Sequence, residues 1–462
     1  MSMQYQHHDR SAHGWWSGDG HQHISANGAN PAALRTEITD ICRARHLHWL
    51  CLCQPWCLSP AQLELHGPLA FEPWQADNVL VWLGGELPKT RYGHTWWLNL
   101  ADVQLPLTQM SDPAIEAWYA GNPAHAALPA YQGISPWACM VAWARAGALP
   151  VFAHPTSWWT STPQHRFVSN LATLLPLYAL AGIGPLAMVV MGYDADQIFY
   201  QQLWFQLLNA GYRIAAMAET DGTLQAGRAR FCLGALRSYV WLDPATPLAP
   251  GTVRDAVAQG RTLVSSGPFI DATLSHVAGY NGPGVVVPAD GARRILRICA
   301  HAAPGNAQCI THIVVYRNGQ VLSHQSCTGA PQPVQSMELV LNETGNSWYV
   351  VKVYGMPGPA SAATFDIATQ THECLATGAT DYAGDNHVAL TSPFYFRTEV
   401  TRPDPTPMAV PWPDADLQLD ALLRPGYSGA WRARWPNAQP GQVPWDAFAF
   451  EKLRDALAQA AE

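Results

Sequence analysis

Charged side chains are scarce in this chain of 462 residues, of which they make up 13%. A globular protein usually contains about a quarter. The hydrophobic fraction of 48% is high enough to exclude disorder as the main state. The 26 Lys and Arg residues form no run, and the formal net charge is −8. Because binding to phosphates needs clustered cations, we expect no nucleic-acid partner.

We also expect no targeting or membrane-spanning segment. Residues 1–16 contain no apolar core of the length found in signal peptides, about 7 to 15 residues. The uncharged stretch 171–191 approaches the length of a membrane span, but Pro176, Gly182, Gly184 and Pro185 divide it into a short helix and a buried strand. We therefore expect a cytoplasmic protein with no membrane partner.

The ten cysteines include no Cys-x-x-Cys pair. Cys51, Cys53 and Cys57 are close enough in sequence to suggest a soft-metal site, but the alternation in LHWLCLCQPW is typical of a β-strand. Scattered thiols in a cytoplasmic protein stay reduced. We therefore interpret the cysteines as free thiols.

Three segments differ in their patterning. Residues 1–245 repeat a helix, a Gly or Pro break, a short apolar strand and a polar residue at the strand's end, as in LWFQLLNAGYRIAAMAETDG, which predicts parallel β-α units. Residues 246–400 contain short alternating strands between Gly, Pro and Asn, which predicts an antiparallel β-sandwich-like accessory domain. Residues 401–462 begin as a Pro-rich tail and end in a predicted helix.

The strongest local motif is GDGHQHIS at residues 18–25. Side chains two residues apart on a strand face the same side, so His21 and His23 can bind one ion. Other imidazoles and carboxylates follow later predicted strands, and this mixture of ligand types suits Zn, Mn or Fe better than Ca or Mg. These residues are Glu86, His94, His154 and Asp221. His46 and His48 have the same spacing without such partners, and we interpret them as structural.

Several motifs together resemble a known family. GDGHQH, the Pro-started helix NPAALRTEITDICRARHL, a Glu followed by GHTWWLNL, the AHP of VFAHP, ETDG and AQGRTLVSSGPF occur in this order across residues 14–275. This order resembles the PHP (polymerase and histidinol phosphatase) metallohydrolases, and more closely their carbaryl-hydrolase-like (CehA/McbA) branch. The resemblance implies an α/β fold, a distorted (β/α)7 barrel with metal ions at its mouth, followed here by the sandwich-like domain.

The resemblance also implies a set of metal ligands. One ion would be held by His21, His23, Glu86 and Asp221, and a second by Glu86, His94 and His154, with Glu86 bridging. Where the family usually has Thr-Asp-His after the second strand, this chain has Cys-Gln-Pro at 53–55, and the closing Asp-x-His is Asp-Gly-Thr at 221–223. Since the missing side chains would serve mainly a third ion, we expect one or two divalent transition metal ions.

A site of this size favours hydrolysis at a carbonyl over cleavage of phosphomonoesters, which in the family typically uses three ions. We expect a metal-bound hydroxide to attack the carbonyl of an ester, amide or carbamate in a small organic substrate. Asp19 or Glu219 is expected either to transfer the proton or to orient a ligand histidine.

The loop TSWWTSTPQHRF follows His154 and supplies candidate substrate contacts. Trp158 and Trp159 either form an apolar wall for the substrate or pack the loop. His165 or Arg166 is expected to fix a polar group, with His165 also a candidate for catalysis. Arg91, between Glu86 and His94, is a candidate oxyanion partner. Trp96 and Trp97 lie on a predicted strand and are expected in the core.

Three other functions remain compatible with the sequence. A PHP-type phosphoesterase and a non-hydrolytic Fe or Mn enzyme would both keep the metal ions. A carbohydrate-binding protein on a degenerate barrel would instead use the 20 Trp residues and the β-rich second half.

Overall fold

The structure, a computed structural model, describes fourteen stretches of the chain. They are residues 7–25, 31–55, 74–86, 95–98, 147–153, 186–192, 197–209, 212–225, 233–304, 308–327, 332–357, 376–377, 381–382 and 387–398.

These stretches contain twenty-two strands, three α-helices and one turn of 3₁₀-helix at Ser11–His13. The helices are α1 (Pro31–Ala44), α2 (Gln197–Asn209) and α3 (Pro250–Ala258). The strands are β1 (Trp15–Ser25), β2 (Trp49–Pro55), β3 (Trp74–Ala76), β4 (Val79–Glu86), β5 (Thr95–Leu98), β6 (Leu149–Phe152), β7 (Leu186–Met191), β8 (Ile214–Ala218), β9 (Gly222–Gln225), β10 (Arg237–Trp241), β11 (Thr262–Ser265), β12 (Phe269–Leu274), β13 (Val286–Pro288), β14 (Arg294–His301), β15 (Gln308–Arg317), β16 (Gln320–Ser326), β17 (Val334–Leu341), β18 (Ser347–Pro357), β19 (Ala376–Thr377), β20 (Asp381–Tyr382), β21 (His387–Thr391) and β22 (Phe394–Arg397).

The strands of the first half belong to a closed barrel of mixed strand direction. β1 pairs in parallel with β2 and β9, and antiparallel with β10. β2 pairs in parallel with β4, and β7 pairs in parallel with β6 and β8. β5 lies between these groups and is antiparallel to both β4 and β6. β8 leads through three residues into β9, which returns the sheet to β1.

The described residues do not show the expected (β/α)7 barrel. They are mostly strand, and residues Thr95–Leu98 of the apolar GHTWWLNL segment form the antiparallel β5 instead of a parallel strand. Its apolar pattern predicted a buried strand, and β5 is buried at every position. Such a pattern reports burial and carries no information on strand direction, which is why the sequence suggested a more regular barrel.

Large aromatic side chains fill the core of the barrel, and several of its strands are buried on both faces. β6, β7 and β8 are buried at every position, which explains their nearly continuous apolar sequences. Trp49 and Trp96 are fully buried, and each packs against a glycine of β1. A Cβ at Gly18 would overlap the ring of Trp49, and one at Gly20 would overlap that of Trp96. These glycines therefore allow β1 to lie close against the core.

A second core lies under a separate antiparallel sheet of β12, β14 and β17. Leu296 and Ile298 of β14 pack there with Val351 of β18 and Phe394 of β22. The main sheet also continues without a break from β10 through β11 and β21 to β18. The divisions predicted after residues 245 and 400 remain predictions.

No helix in the described part of the chain has the length and apolarity that a membrane crossing requires. Within the stretch 171–191, the predicted strand corresponds to β7, whereas the predicted helix lies outside the described residues. The tail at 401–462 also lies outside them.

Substituting Gly20 tests the close approach of β1 to the core. We expect Gly20→Ala to lower the free energy of unfolding by about 1 to 3 kcal/mol, because the added methyl group overlaps the Trp96 ring. Urea denaturation followed by Trp fluorescence measures this. Gly345→Ala is the matched control, since its Cβ would enter open space, and a change of more than about 0.5 kcal/mol there would contradict the explanation.

We expect the protein to lose stability in acid because of His8, which lies in the segment before β1. Burial lowers the pKa of His8 to about 4, and its Nε2 contacts the carbonyl oxygen of Ala302 at 2.6 Å. The unfolded chain, with an ordinary His pKa of about 6.5, binds this proton first as the pH falls. Stability from His8 is therefore complete above about pH 6.5 and is lost as the pH falls towards 4.

In His8→Gln, which keeps an N–H donor but does not titrate, we expect the stability loss between pH 7 and pH 4.5 to be smaller by about 1 to 2 kcal/mol. Parallel urea titrations at the two pH values measure this difference. An equal loss in both proteins would contradict the assignment to His8.

Candidate metal centre

The described metal-ligating cluster lies where β1 meets the connection between β8 and β9. His21 and His23 belong to β1, and Asp221 immediately precedes β9. The parallel pairing of β9 with β1 places Gly222 opposite Gln22 and thereby brings Asp221 beside the two histidines. Asp221 has a φ of +46°, a left-handed conformation that Asp adopts more readily than bulky residues.

The separations within this cluster fit a metal coordination sphere. Oδ1 of Asp221 lies 3.0 Å from Nε2 of His23 and 3.5 Å from Nε2 of His21. With metal–ligand bonds of about 2.1 Å, ligand atoms are about 3.0 Å apart at a right angle and about 3.4 Å apart at the tetrahedral angle. One potential ligand atom from each of the three residues lies within 4.8 Å of the others. The donor set of two imidazoles and a carboxylate suits Zn, Mn or Fe.

Burial around the cluster is graded. His21 is fully buried, whereas the side chains of His23 and Asp221 are 17% and 16% exposed. The cluster is thus fixed on its inner side by the core and has an outer side in contact with solvent. A site that binds an ion and a substrate requires both features.

A buried carboxylate sets the orientation of His21. Oε2 of Glu219 lies 2.6 Å from Nδ1 of His21 and also accepts a hydrogen bond from the indole N–H of Trp96 at 3.0 Å. Because an ionised carboxylate only accepts hydrogen bonds, the imidazole Nδ1 is assigned the proton. The neutral ring then presents the lone pair of Nε2 towards Asp221, as a metal ligand must.

A second buried carboxylate, Asp19, joins β1 to the segments that follow β8. Its Oδ2 accepts hydrogen bonds from Thr220 Oγ1 at 2.5 Å, Gln22 Nε2 at 2.8 Å and the backbone N–H of Gly234 at 3.0 Å. Oδ1 accepts from the backbone N–H of His21 at 3.3 Å. Burial raises the pKa of Asp19 to about 6, although the hydrogen bonds from Thr220, Gly234 and His21 oppose the shift. Both oxygens are occupied by protein donors, which favours a positioning role over proton transfer.

The remaining predicted site residues are described only in part. Glu86 ends β4, and its backbone pairs with Trp96 of β5 and Pro55 of β2. Its side chain lies outside the description. The other candidates lie outside the described residues entirely: Arg91, His94, His154, Trp158, Trp159, His165 and Arg166. The second metal ion and the substrate-contacting loop therefore remain predictions.

Cys53 and His48, which also have metal-ligating side chains, make contacts outside this cluster. Cys53 donates a hydrogen bond to the carbonyl of Gly20, and none of the six described cysteines is in a disulfide bond. Among the described residues, the three side chains whose potential ligand atoms all lie within 4.8 Å of one another are His21, His23 and Asp221, and they include no cysteine. His48 contacts Ser17 and lies 3.4 Å from Asp9, in agreement with a structural role.

Sequence reasoning missed the part played by Trp96 and Thr220. Trp96 was expected in the core and is fully buried there, but its indole N–H also anchors Glu219. No spacing rule signals such a bond between distant strands. Thr220 lies between Glu219 and Asp221, and its position within ETDG was the one available sign that its hydroxyl faces the same network.

Comparisons with known proteins give distant likenesses. No family matches the chain, and no curated protein matches it. The crystal structure of the lesion-specific endonuclease PfuEndoQ from Pyrococcus furiosus is similar over 53% of this chain and 56% of its own, at 14% identity and a TM-score of 0.32. The CARDB domain of PF1109 from the same organism is similar over 29% of this chain and 98% of its own, at 13% identity and a TM-score of 0.17.

The chain spans little more than half the length of the endonuclease structure. Neither likeness extends to the carbaryl-hydrolase-like branch, and at these scores neither carries an argument about activity. One expectation is nevertheless corrected. The expectation of no nucleic-acid partner conflicts with this likeness to an endonuclease and is withdrawn.

Substitutions around His21 test whether Glu219 positions it. We expect Glu219→Gln to weaken Zn²⁺ binding by about 10- to 100-fold, because the charge that holds the Nδ1 proton is lost. Trp96→Phe removes one donor to Glu219 and should weaken binding less. Competition against a chromophoric chelator measures both affinities.

Trp82→Phe provides the matched control, because Trp82 is equally buried in the same core. Its affinity should equal that of the unmodified protein. Unchanged affinity in Glu219→Gln would show that His21 does not depend on this carboxylate.

Proposed function

We propose that the protein is a metal-dependent hydrolase whose ion is held by His21, His23 and Asp221. The observation that carries this proposal is the convergence of two imidazole Nε2 atoms on one carboxylate oxygen, at 3.5 and 3.0 Å. With Nδ1 of His21 protonated towards Glu219, the Nε2 lone pair faces the negative Asp221. A cation held by His21, His23 and Asp221 would interact favourably with both groups.

The residues around such an ion would have different roles. A bound divalent ion lowers the pKa of a water ligand towards about 7 and polarises a substrate carbonyl. His21 is held rigidly by Glu219, whereas His23 and Asp221 lie at the exposed edge, where a substrate enters. Asp19 keeps β1 against the β8–β9 connection and does not face the substrate. The proton-transfer role then falls to His165, on the sequence evidence.

We further propose that the substrate is a neutral or weakly charged ester, amide or carbamate. The fully buried Arg237 interacts electrostatically with Asp19, and its donors are taken by backbone carbonyls of Gly234, Arg45 and His46. This guanidinium is therefore not directed towards a phosphate. A carbonyl substrate needs less positive charge around its reacting atoms than a phosphomonoester does.

Metal analysis together with a substrate panel tests the proposal. The full chain, purified without added metal, should contain Zn, Mn or Fe, and His23→Ala and Asp221→Ala should lose it. Both variants should lower hydrolysis of aryl acetates, anilides or aryl carbamates by at least about 100-fold. His13→Ala, an exposed histidine of the 3₁₀ turn, is the matched control.

Each contrary result has a defined meaning. Unchanged metal content in His23→Ala and Asp221→Ala would refute the metal centre. Turnover of phosphoesters alone would replace the substrate class. Bound Fe with oxygen-dependent turnover would replace hydrolysis itself.

A further inference from the structure

A second group of metal-ligating side chains lies on the outer face of the β12–β14–β17 sheet. In β14 the residues at 294, 296, 298 and 300 are buried, and those between them are more exposed. Cys299 and His301 therefore share the outer face, two residues apart on one strand. Neither residue belongs to the candidate metal centre of His21, His23 and Asp221.

The geometry of this pair matches two corners of a tetrahedral zinc site. Sγ of Cys299 lies 3.5 Å from Nε2 of His301. For a Zn–S bond of about 2.3 Å and a Zn–N bond of about 2.0 to 2.1 Å, the tetrahedral angle gives a separation of about 3.6 Å. A small ion can be inserted between the two atoms without moving the strand.

A carboxylate is available on the neighbouring strand. Asp271 of β12 is the antiparallel partner of Cys299, and its side chain is exposed. Directly opposed residues have Cβ atoms about 4.5 to 5.5 Å apart, so a change of side-chain rotamer can bring the carboxylate to an ion at the pair. Ser336 of β17 is the partner of Cys299 on the other side.

We propose that Cys299, His301 and Asp271 form a Zn²⁺-binding site, with solvent in the fourth position. The thiolate and the carboxylate together neutralise the charge of the ion. Cys and His are the ligands that Zn²⁺ prefers, and an open fourth position beside these partly exposed side chains allows exchange with solvent.

The surroundings of His301 favour the neutral imidazole that binds metal. Burial and the nearby Arg10 lower the pKa of His301 to about 4, so the ring is unprotonated at neutral pH. His8 packs beside it, with ring centroids 5.9 Å apart, and limits its movement. Arg10 is held over the ring of Phe269, 5.1 Å from its centroid. This positive charge opposes the ion and favours moderate over very tight affinity.

Cobalt titration of the full chain tests the proposal, and the candidate metal centre of His21, His23 and Asp221 is left unchanged. Co²⁺ bound to a thiolate gives a near-ultraviolet charge-transfer band, which a site of His and Asp ligands does not give. The unmodified protein should develop this band and lose it when Zn²⁺ is added. Cys299→Ser should abolish the band, and His301→Gln and Asp271→Asn should each weaken Co²⁺ binding at least tenfold.

Cys327→Ser is the matched control, because Cys327 is a free thiol of the same half of the chain that contacts the Gln325 amide. This variant should retain the full band. Circular dichroism and Tm of the metal-free variants check that they fold. Absence of the band in the unmodified protein, or its retention in Cys299→Ser, would overturn the site and leave a thiol–imidazole hydrogen bond only. Unchanged affinity in His301→Gln or Asp271→Asn would overturn the three-ligand sphere.

Discussion

The candidate metal centre, formed by His21, His23 and Asp221, depends on the buried carboxylate of Asp19. Its oxygens bind donors from β1, from the β8–β9 connection and from Gly234 before β10. Asp19 precedes Thr220 by 201 residues and Gly234 by 215, and these hydrogen bonds act together with the pairing of β1 with β9 and β10 to hold the segments in register. An unpaired charge in this position would be costly, so the donors and the carboxylate stabilise one another.

Two buried carboxylates therefore have different tasks in one network. Asp19 fixes the backbone of the segments, whereas Glu219 fixes the rotation and tautomer of His21. Trp96 connects this network to the core, because its ring packs against Gly20 and its N–H binds Glu219. The apolar interior and the polar centre are thus parts of one structure, and a change of packing at Trp96 reaches His21 through two hydrogen bonds that share Oε2 of Glu219.

The sequence predicted the parts of this arrangement that are local. The spacing of His21 and His23 on a strand, and a carboxylate at the end of a later strand, follow from short-range patterns. The antiparallel direction of β5 depends on its pairing with β4 and β6, and the bond between Trp96 and Glu219 joins residues 123 positions apart. No pattern within a segment encodes these contacts. The sequence also does not predict the register shift of β1 against β2 between Asp19 and Gln22. Such a shift changes the direction of the side chains next to His21.

The two proposed ion sites differ in a way that bears on their use. At the barrel centre, His21 is fully buried and is oriented by Glu219, so the ligand geometry exists before an ion arrives. On the outer sheet, Cys299 and His301 are already at a ligand separation, but Asp271 must turn towards them from an exposed position. Ordering that side chain costs conformational entropy, which lowers affinity and speeds release. The barrel centre is therefore suited to a resident ion and the sheet site to an exchangeable one.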